Sequence, residues 1–236
     1  MTSVAILCGG KGTRMRSSEV KLPKPLVDVG GRPILWHVMA LYAAHGLKDF
    51  VLLTGYAGDR VRSFAESLTE DWNVQCLDTG EDTPTGGRVA KARDLLSAGT
   101  FCLTYADCVA DIDIEALLGF HRAHGRKATI TVVPPTAPWG VTDLEEDGRI
   151  TGFQEKPRLD LWINGGFMVM EPSALDSIGE DDVLEEGPFK RLAADGELYA
   201  HRHERYWQCM DTYKENLTLN ELWDSGRAPW RSLVEA

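Results

Sequence analysis

The sequence lacks an apolar run long enough to cross a bilayer, which excludes a protein anchored by a membrane-spanning helix. It also lacks an opening basic region followed by a long apolar stretch, so we expect no secretory signal. Residues 2–7 are better explained as a first core strand. We therefore expect a cytoplasmic protein with no membrane partner.

Paired cysteines and an excess of basic charge are missing as well. The cysteines show no C-x-x-C pair and no zinc-type spacing, and they are Cys8, Cys76, Cys102, Cys108 and Cys209. An odd number without a signal favours reduced thiols. The net charge of −11, from 36 acidic and 25 basic residues, argues against a nucleic-acid-binding surface, which needs a basic stripe. A local basic pocket for a nucleotide is compatible with this balance.

What is present is an alternation of short apolar strands with amphipathic helices over 236 residues, long enough to bury a substantial core. The pattern predicts a helix opened by Pro33, strands at 4–8, 49–54, 73–77, 101–104 and 128–133, and helices at 58–68, 87–96 and 114–124. Such repeats predict a parallel sheet flanked by helices. Right-handed crossovers bring the strand ends to one edge, where α/β proteins form their sites.

After residue 135 the pattern changes. Residues 139–153 predict a hairpin that turns at Asp147-Gly148, and a strand at 163–170 follows. Helical segments after Pro172 and Pro188, a short strand at 198–202 and a closing helix from about 212 to 223 complete the chain. The predicted fold is α/β and Rossmann-like, with a mostly parallel sheet and extra strands in the C-terminal half that cover the site.

A glycine-rich loop, Gly9-Gly10-Lys11-Gly12-Thr13-Arg14, follows the first strand directly after Leu7. Its three glycines let backbone N–H groups approach phosphate oxygens and form an anion nest. Arg14 adds a guanidinium that can bind phosphate in a bidentate manner. The loop is neither a Walker A motif nor a G-x-G-x-x-G motif. Taken alone, three glycines fit an ordinary turn with a solvated arginine about equally well.

A second motif is Leu22-Pro23-Lys24-Pro25-Leu26. Two prolines fix an extended segment around the lysine, which can act as a point charge on developing phosphate charge. Alone, this motif favours the simpler interpretation of a surface turn.

Together the two motifs resemble the sugar-1-phosphate nucleotidyltransferase family. Further stretches resemble its glucose-1-phosphate cytidylyltransferases: Gly31-Arg32-Pro33-Ile34-Leu35-Trp36-His37, Thr85-Gly86-Gly87-Arg88, Val109-Ala110-Asp111-Ile112-Asp113, Phe153-Gln154-Glu155-Lys156-Pro157, Ile163-Asn164-Gly165-Gly166-Phe167 and Trp207-Gln208-Cys209-Met210-Asp211-Thr212. The resemblance runs over nearly the whole chain. It implies one domain over residues 1–236, in which 1–133 bind the nucleotide and 134–236 bind the sugar phosphate and close the site.

The implied reaction transfers a nucleotidyl group from a nucleoside triphosphate, CTP by resemblance, to a sugar 1-phosphate, glucose 1-phosphate by resemblance. The products are an NDP-sugar and pyrophosphate, and the implied assembly is a homo-oligomer. Asp107 and Asp211 would hold the Mg²⁺ cofactor, since magnesium favours few carboxylates plus substrate oxygens. Nearby Asp111 and Asp113 are better explained as residues that begin the next helix.

The resemblance assigns the remaining roles residue by residue. Arg14, Lys24 and Lys156, with Asp107, would be catalytic. Glu155, Lys156, Asn164 and Gly165 would bind the sugar phosphate. The nucleotide would contact Leu7, Gly9, Gly10, Lys11, Gly12, Thr13, Arg14, Thr85, Gly86, Arg88 and Ala106. The histidines at 37, 121 and 124 fall in predicted helices and are explained as packing or surface residues.

The chain departs from the family pattern at several positions. The usual Gly-Asp-Gly is Ala106-Asp107-Cys108, and Cys209 stands where the cytidylyltransferases have proline. We hypothesise that Cys108 and Cys209 lie near one another and make activity redox-sensitive. The segment between residues 61 and 77 is shorter than in the cytidylyltransferases, where an extension contributes to subunit contacts. This difference weakens the inference of both assembly and nucleotide preference.

Three other readings stay open at this stage. One keeps the chemistry with another nucleotide or another sugar 1-phosphate, and one is a catalytically silent module that binds sugar nucleotides and regulates a partner. The third is transfer to an alcohol phosphate such as phosphocholine. Retention of five charged residues argues against the silent module: Arg14, Lys24, Asp107, Lys156 and Asp211.

Overall fold

A computed structural model describes residues 2–11 and 22–235 of the chain. The strands are β1 Val4–Leu7, β2 Asp28–Val29, β3 Arg32–Pro33, β4 Asp49–Thr54, β5 Asn73–Asp78, β6 Phe101–Tyr105, β7 Cys108–Ala110, β8 Ala128–Val133, β9 Gly140–Leu144, β10 Ile150–Glu155, β11 Ile163–Met170, β12 Leu198–Arg202 and β13 Trp207–Cys209. The helices are α1 Ile34–Ala43, α2 Gly58–Glu66, α3 Thr85–Lys91, α4 Arg93–Leu96, α5 Ile114–His124, α6 Pro188–Ala194, α7 Tyr213–Asp224 and α8 Arg231–Val234, with 3₁₀ turns at Lys24–Leu26 and Pro172–Ser177.

Seven strands form the central sheet in the order β12-β8-β11-β6-β1-β4-β5. All neighbouring pairs are parallel except those made by β11, which runs antiparallel to both β6 and β8. The predicted α/β class with a mostly parallel sheet is therefore confirmed. The C-terminal half supplies β11 and β12 to the same sheet, and so both halves of the chain build it.

The core lies on both faces of the sheet, as the alternation of side chains along β1 illustrates. Val4 and Ile6 belong to one buried cluster with α1 and α5, whereas Ala5 and Leu7 belong to a second with α3 and α6. Helix cover on both faces explains why β1 is uniformly apolar.

Helix α1 is enclosed, since nine of its ten residues are buried and α8 packs against it. His37, on α1, lies wholly buried with its Nε2 2.8 Å from the carbonyl oxygen of Val29. Trp230 donates its indole N–H to His37 Nδ1 at 3.3 Å, so the C-terminal segment covers this helix. Burial lowers the pKa of His37 to about 4, and the ring is therefore neutral at pH 7. The prediction that this histidine is a packing residue is confirmed.

Several element boundaries differ from the sequence-based prediction. The helix expected over 87–96 begins at Thr85 and is interrupted at Ala92, which separates α3 from α4. Strand β7 was not predicted; it pairs with β13 in a small antiparallel sheet. Asp113 caps α5 as expected, accepting the Ala116 N–H at 2.9 Å, whereas Asp111 instead faces His203 and Arg205.

The hairpin that turns at Asp147-Gly148 is confirmed, and β9 and β10 form a two-stranded sheet of their own. Gly148 has a φ of 87°, a conformation that glycine adopts without strain. Within residues 2–11 and 22–235, no helix combines the length and apolar character that a membrane span requires.

Candidate active site

A cavity of about 440 Å³ opens where β1 and β6 end. The strands are paired so that Leu7 lies beside Tyr105, and the loops that follow them form the cavity walls. Eight of the predicted site residues line it: Leu7, Gly9, Gly10, Lys24, Thr85, Arg88, Ala106 and Asp107. The strand ends therefore bring together residues that are far apart in sequence, as the parallel sheet predicts.

Lys24 lies between two carboxylates at the floor of the cavity. Its Nζ donates to Asp107 and, at 2.6 Å, to Asp211 Oδ1. Burial alone would lower the pKa of Lys24, but the charge of Asp107 and the hydrogen bonds to both aspartates outweigh it. The pKa is raised well above its ordinary value, and the side chain is a permanent cation.

Backbone structure holds the two aspartates in place. Asp107 follows β6 and Asp211 follows β13, and the Met210 N–H donates to the Asp107 carbonyl at 2.8 Å. Glu215, in the capping box of α7, accepts the N–H of Asp211 at 2.7 Å. The backbone of Asp211 is thus fixed by both a strand and a helix start.

The two carboxylates fit a magnesium ion. They converge on one cation, the Lys24 ammonium, so their oxygens lie close to one another beside a positive charge. Two carboxylate oxygens plus phosphate oxygens and water are the ligand set that Mg²⁺ favours.

Arg88 lines the cavity beside the loop that follows β1. Its two terminal nitrogens donate at 2.6 to 3.1 Å to oxygens of three neighbouring segments, which are Gly9, Thr54 and the consecutive residues Thr79, Gly80 and Glu81. The residue is 4% exposed. A Cβ on Gly9 would lie 2.1 Å from Arg88 Nη1, so the loop must have glycine here. Arg88 lines the cavity, but its guanidinium binds the protein's own backbone.

The Thr85-Gly86-Gly87 segment packs against the C-terminal half. Thr85 Oγ1 accepts the Leu184 N–H at 3.0 Å, and the Gly87 N–H donates to the Asp182 carbonyl at 3.1 Å. A Cβ on Gly87 would approach the backbone oxygen of Glu180 to 2.0 Å. The small residues of this motif therefore permit close contact between the two halves of the chain.

The rest of the glycine-rich loop is described only as far as Lys11. This lysine lies 2.8 Å from Asp82 and 3.3 Å from Glu81 in exposed ion pairs. The predicted nucleotide contacts Gly12 and Thr13, and the predicted catalytic Arg14, lie outside the described residues.

The predicted sugar-phosphate residues lie outside the cavity lining. Glu155 ends β10 and pairs with the half-exposed Lys156 at 3.5 Å, and Lys156 has a φ of 48°. Asn164 donates to the Tyr105 hydroxyl at 3.3 Å, which links it to the cavity. Gly165 accepts the Trp207 indole N–H at 2.8 Å.

Sequence reasoning missed Tyr105 and Val183, which line the cavity, and Glu185, which contacts Tyr105. Tyr105 immediately precedes Ala106 and donates its hydroxyl to Glu185. Burial, and then the charge of Glu185, raise the pKa of Tyr105 above its ordinary value, so its phenol stays protonated. Position at the end of β6 could have identified Tyr105. Val183 and Glu185 come from an irregular segment and carry no recognisable motif.

Cys108 and Cys209 lie directly opposite one another on β7 and β13. The predicted proximity of these thiols is therefore confirmed, whereas the redox sensitivity of activity stays a prediction. Ala106 is buried in the cavity lining.

Comparison with known proteins places these residues in context. Residues 3–212 match the nucleotidyl transferase family. The chain is 40% identical to a glucose-1-phosphate cytidylyltransferase of Salmonella typhi over 96% of its length and 98% of the relative. A probable glucose-1-phosphate cytidylyltransferase of Bacillus subtilis is 39% identical over the same shares. A mannose-1-phosphate guanylyltransferase catalytic subunit beta of Drosophila pseudoobscura pseudoobscura is 32% identical over 92% of this chain and 61% of the relative.

Solved structures share the fold. HddC from Yersinia pseudotuberculosis, complexed with GMP-PN, superposes with a TM-score of 0.71 at 20% identity, covering 94% of this chain and 100% of that one. A putative glucose-1-phosphate thymidylyltransferase from Bacillus anthracis gives a TM-score of 0.71 at 17% identity, over 94% and 95% of the two chains. At these identities the likeness concerns the fold alone.

Proposed function

Because the chain belongs to the nucleotidyl transferase family, and because it matches bacterial cytidylyltransferases over almost their full length, we propose that it makes CDP-glucose from CTP and glucose 1-phosphate. The observation that carries the proposal is the Lys24 ammonium held between Asp107 and Asp211 at the floor of the cavity. This arrangement provides fixed cationic and metal-binding groups where a triphosphate would lie.

The chemistry needs positioning and charge neutralisation. A phosphate oxygen of the sugar 1-phosphate attacks the α-phosphorus of the nucleotide; the new P–O bond forms as the bond to the β-phosphate oxygen breaks, and pyrophosphate leaves. The nucleophile is already an anion, so no general base is required. Lys24, permanently charged and preorganised, would stabilise the negative charge that develops on the phosphates.

We propose that Asp107 and Asp211 hold Mg²⁺ during this reaction. When bound, the ion would neutralise phosphate charge and orient the triphosphate. The convergence of the two carboxylates on one cation supports this role. The two aspartates would provide oxygen ligands from opposite sides, fixed by the β7–β13 pairing and by the capping box of α7.

The nucleotide would lie against Leu7, Gly9, Gly10, Thr85 and Ala106, all of which line the cavity. Lys11, Gly86 and the loop residues Gly12, Thr13 and Arg14 complete the proposed nucleotide contacts. For Arg88 the geometry supports a positioning role, since its guanidinium holds the backbone of Gly9 in place.

The sugar phosphate would bind toward β10 and β11. Lys156 would neutralise its phosphate, and Glu155 would accept hydrogen bonds from sugar hydroxyls, with Asn164 and Gly165 completing the pocket. The contact of Asn164 with Tyr105 supports this placement, since it connects β11 to the cavity.

We also propose that residues 1–236 act as one domain, because β11 and β12 of the second half complete the sheet begun by the first. A homo-oligomeric assembly and a cytoplasmic location stay predictions from the sequence.

The decisive experiment measures pyrophosphate release with Mg²⁺, each of five nucleoside triphosphates and a panel of sugar 1-phosphates. We expect release with CTP and glucose 1-phosphate, and none from the matched variant Asp107→Asn. Turnover only with another nucleotide or another sugar 1-phosphate would overturn the assigned substrates and keep the reaction class. Absence of release with every pair would refute catalysis and favour the silent binding module.

A further inference from the structure

Cys108 and Cys209 occupy a particular kind of position in the β7–β13 ladder. On one side the Met210 N–H donates to Asp107, and on the other the Asp111 N–H donates to the Tyr206 carbonyl. Residues 107 and 210 therefore form a hydrogen-bonded pair, and so do residues 111 and 206. Because hydrogen-bonded and non-hydrogen-bonded pairs alternate along an antiparallel ladder, the cysteine pair next to residues 107 and 210 is a non-hydrogen-bonded one. In such pairs the Cα atoms lie about 4.5 Å apart and both side chains project from the same face. The two thiols are therefore presented side by side.

Asp107 adds a third donor to this pair. One of its carboxylate oxygens and the two Sγ atoms all lie within 4.8 Å of one another. The Cys108 thiol donates to Asp107 Oδ1 at 3.3 Å, while Oδ2 of the same carboxylate accepts from Lys24. Two sulfurs and one oxygen thus lie within reach of a single ion, and Cys108 contacts the carboxylate oxygen of Asp107 that Lys24 does not.

This donor set matches a thiophilic divalent cation. Tetrahedral zinc with Zn–S bonds of about 2.3 Å holds two thiolate sulfurs about 3.8 Å apart, well within the observed limit. Three protein ligands also leave a fourth position for water, which is usual for zinc sites that are not purely structural. Magnesium avoids thiolate sulfur and prefers oxygen, so it is a poor match for this cluster.

We propose that Asp107, Cys108 and Cys209 form a binding site for a zinc-class cation, and that occupation of this site inhibits nucleotidyl transfer. The inhibitory half rests on the proposed function, in which Asp107 is a magnesium ligand. A cation bound to the thiols would also bind Oδ1 of Asp107. It would thereby reduce the negative charge on Oδ2 that is available to magnesium. It also ties β7 to β13, whose next residues lead directly to Asp211.

Cadmium titration of the reduced protein without oxygen tests the site directly, since a thiolate-to-cadmium charge-transfer band reports sulfur ligation. We expect one equivalent to bind wild type and the control Cys76→Ser, whose cysteine lies on β5. Cys209→Ser and Cys108→Ser each remove a direct ligand, so each should bind cadmium at least about one-hundredfold more weakly, beyond the loss typical of an outer-shell partner. Cys108 is buried, so circular dichroism must show that its variant folds, while half-buried Cys209 provides the safer substitution.

An absent charge-transfer band in wild type, or equal cadmium affinity in Cys209→Ser, would overturn the site. In the activity arm, pyrophosphate release is measured in excess magnesium with buffered free zinc. Wild type should be inhibited, and Cys209→Ser should need at least tenfold more zinc, in line with its weaker binding. Equal zinc sensitivity would overturn the inhibitory role. Loss of all release without zinc would refute the proposed function instead, and the cadmium result would still decide the site.

Discussion

Lys24 and Lys156 are both predicted to neutralise phosphate charge, yet they lie in very different surroundings. The Lys24 side chain is 12% exposed and contacts two carboxylates, and its backbone is flanked by a proline on each side. The Lys156 side chain is 50% exposed, has one ion pair at 3.5 Å and sits on backbone with positive φ. The proposed nucleotide site around Lys24, Asp107 and Asp211, called the floor below, is thus ordered in the absence of substrate. The proposed sugar-phosphate site around Glu155 and Lys156, called the rim below, has little to fix its charge.

This difference bears on how each lysine contributes to the reaction. A preorganised charge costs no reorganisation when the transition state forms, so it acts mainly on turnover. A mobile, solvated charge must be ordered by the substrate, so it contributes mainly to binding. The floor should therefore govern kcat and the rim should govern KM.

The largest effect should follow removal of the Lys24 charge. Lys24→Met removes the charge while keeping most of the side chain's apolar length, and it should lower kcat about 10²- to 10³-fold, the loss typical of one preorganised donor. The KM for glucose 1-phosphate should change little. Steady-state kinetics with an unfolding curve as control separates this from misfolding, and wild-type kcat in a folded variant would place the site elsewhere.

Replacement of Arg88 should destabilise the segments that line the cavity, because its guanidinium connects them. Arg88→Met leaves several backbone oxygens without their donor and should cost about 3 kcal/mol in the free energy of unfolding. The matched control is Arg126→Met, because Arg126 makes only a half-exposed ion pair at 3.6 Å. That change should cost less than about 1 kcal/mol. Equal urea midpoints for the two variants would contradict a bracing role for Arg88.

The smallest effect is expected at the rim. Lys156→Ala should raise the KM for glucose 1-phosphate about tenfold, the loss expected for one partly solvated charge contact of about 1.4 kcal/mol. Lys156→Arg should restore most of the affinity, since it keeps the charge. Lys156→Gly should match Ala in KM but be the more stable of the two, because glycine tolerates the positive φ. A Lys156→Ala variant that changes only kcat would contradict the proposal that the floor governs kcat and the rim governs KM.

Much of the fold could be predicted from sequence because its strands are short, apolar and regularly separated by helices. The strand pattern gave β1, β4, β6 and β8 within a residue or two. Strand β7 was missed, since Cys108–Ala110 is too short for periodicity to register. The break between α3 and α4 was missed as well, because Ala92 is a good helix former and tertiary packing decides the interruption.

Prediction of the site had a different limit. Motifs drew attention to Lys24 and Asp107, which the structure brings together in the cavity, since both belong to recognisable strings. The contacts of Arg88 with carbonyl groups could not be anticipated, because its partners come from three segments that lie up to 79 residues away from it in sequence. The contact of Glu185 with Tyr105 could not be predicted for a similar reason, because Glu185 lies in an irregular segment whose position depends on tertiary packing.

Gly9 and Arg88 also constrain how this sequence can vary. The Cβ of any other residue at position 9 would meet the Arg88 guanidinium. A Cβ added at Gly55 would likewise lie 2.3 Å from Arg88 Nη1. A homologue that replaces Gly9 must therefore shorten or move residue 88 as well, and one that loses the arginine is released at position 9. Position 55 is not released in the same way, because a Cβ there would also lie 2.7 Å from the backbone oxygen of Gly80. Positions 9 and 88 should accordingly change together across related sequences, as a covarying pair set by the volume of one side chain, whereas position 55 should stay glycine with or without the arginine.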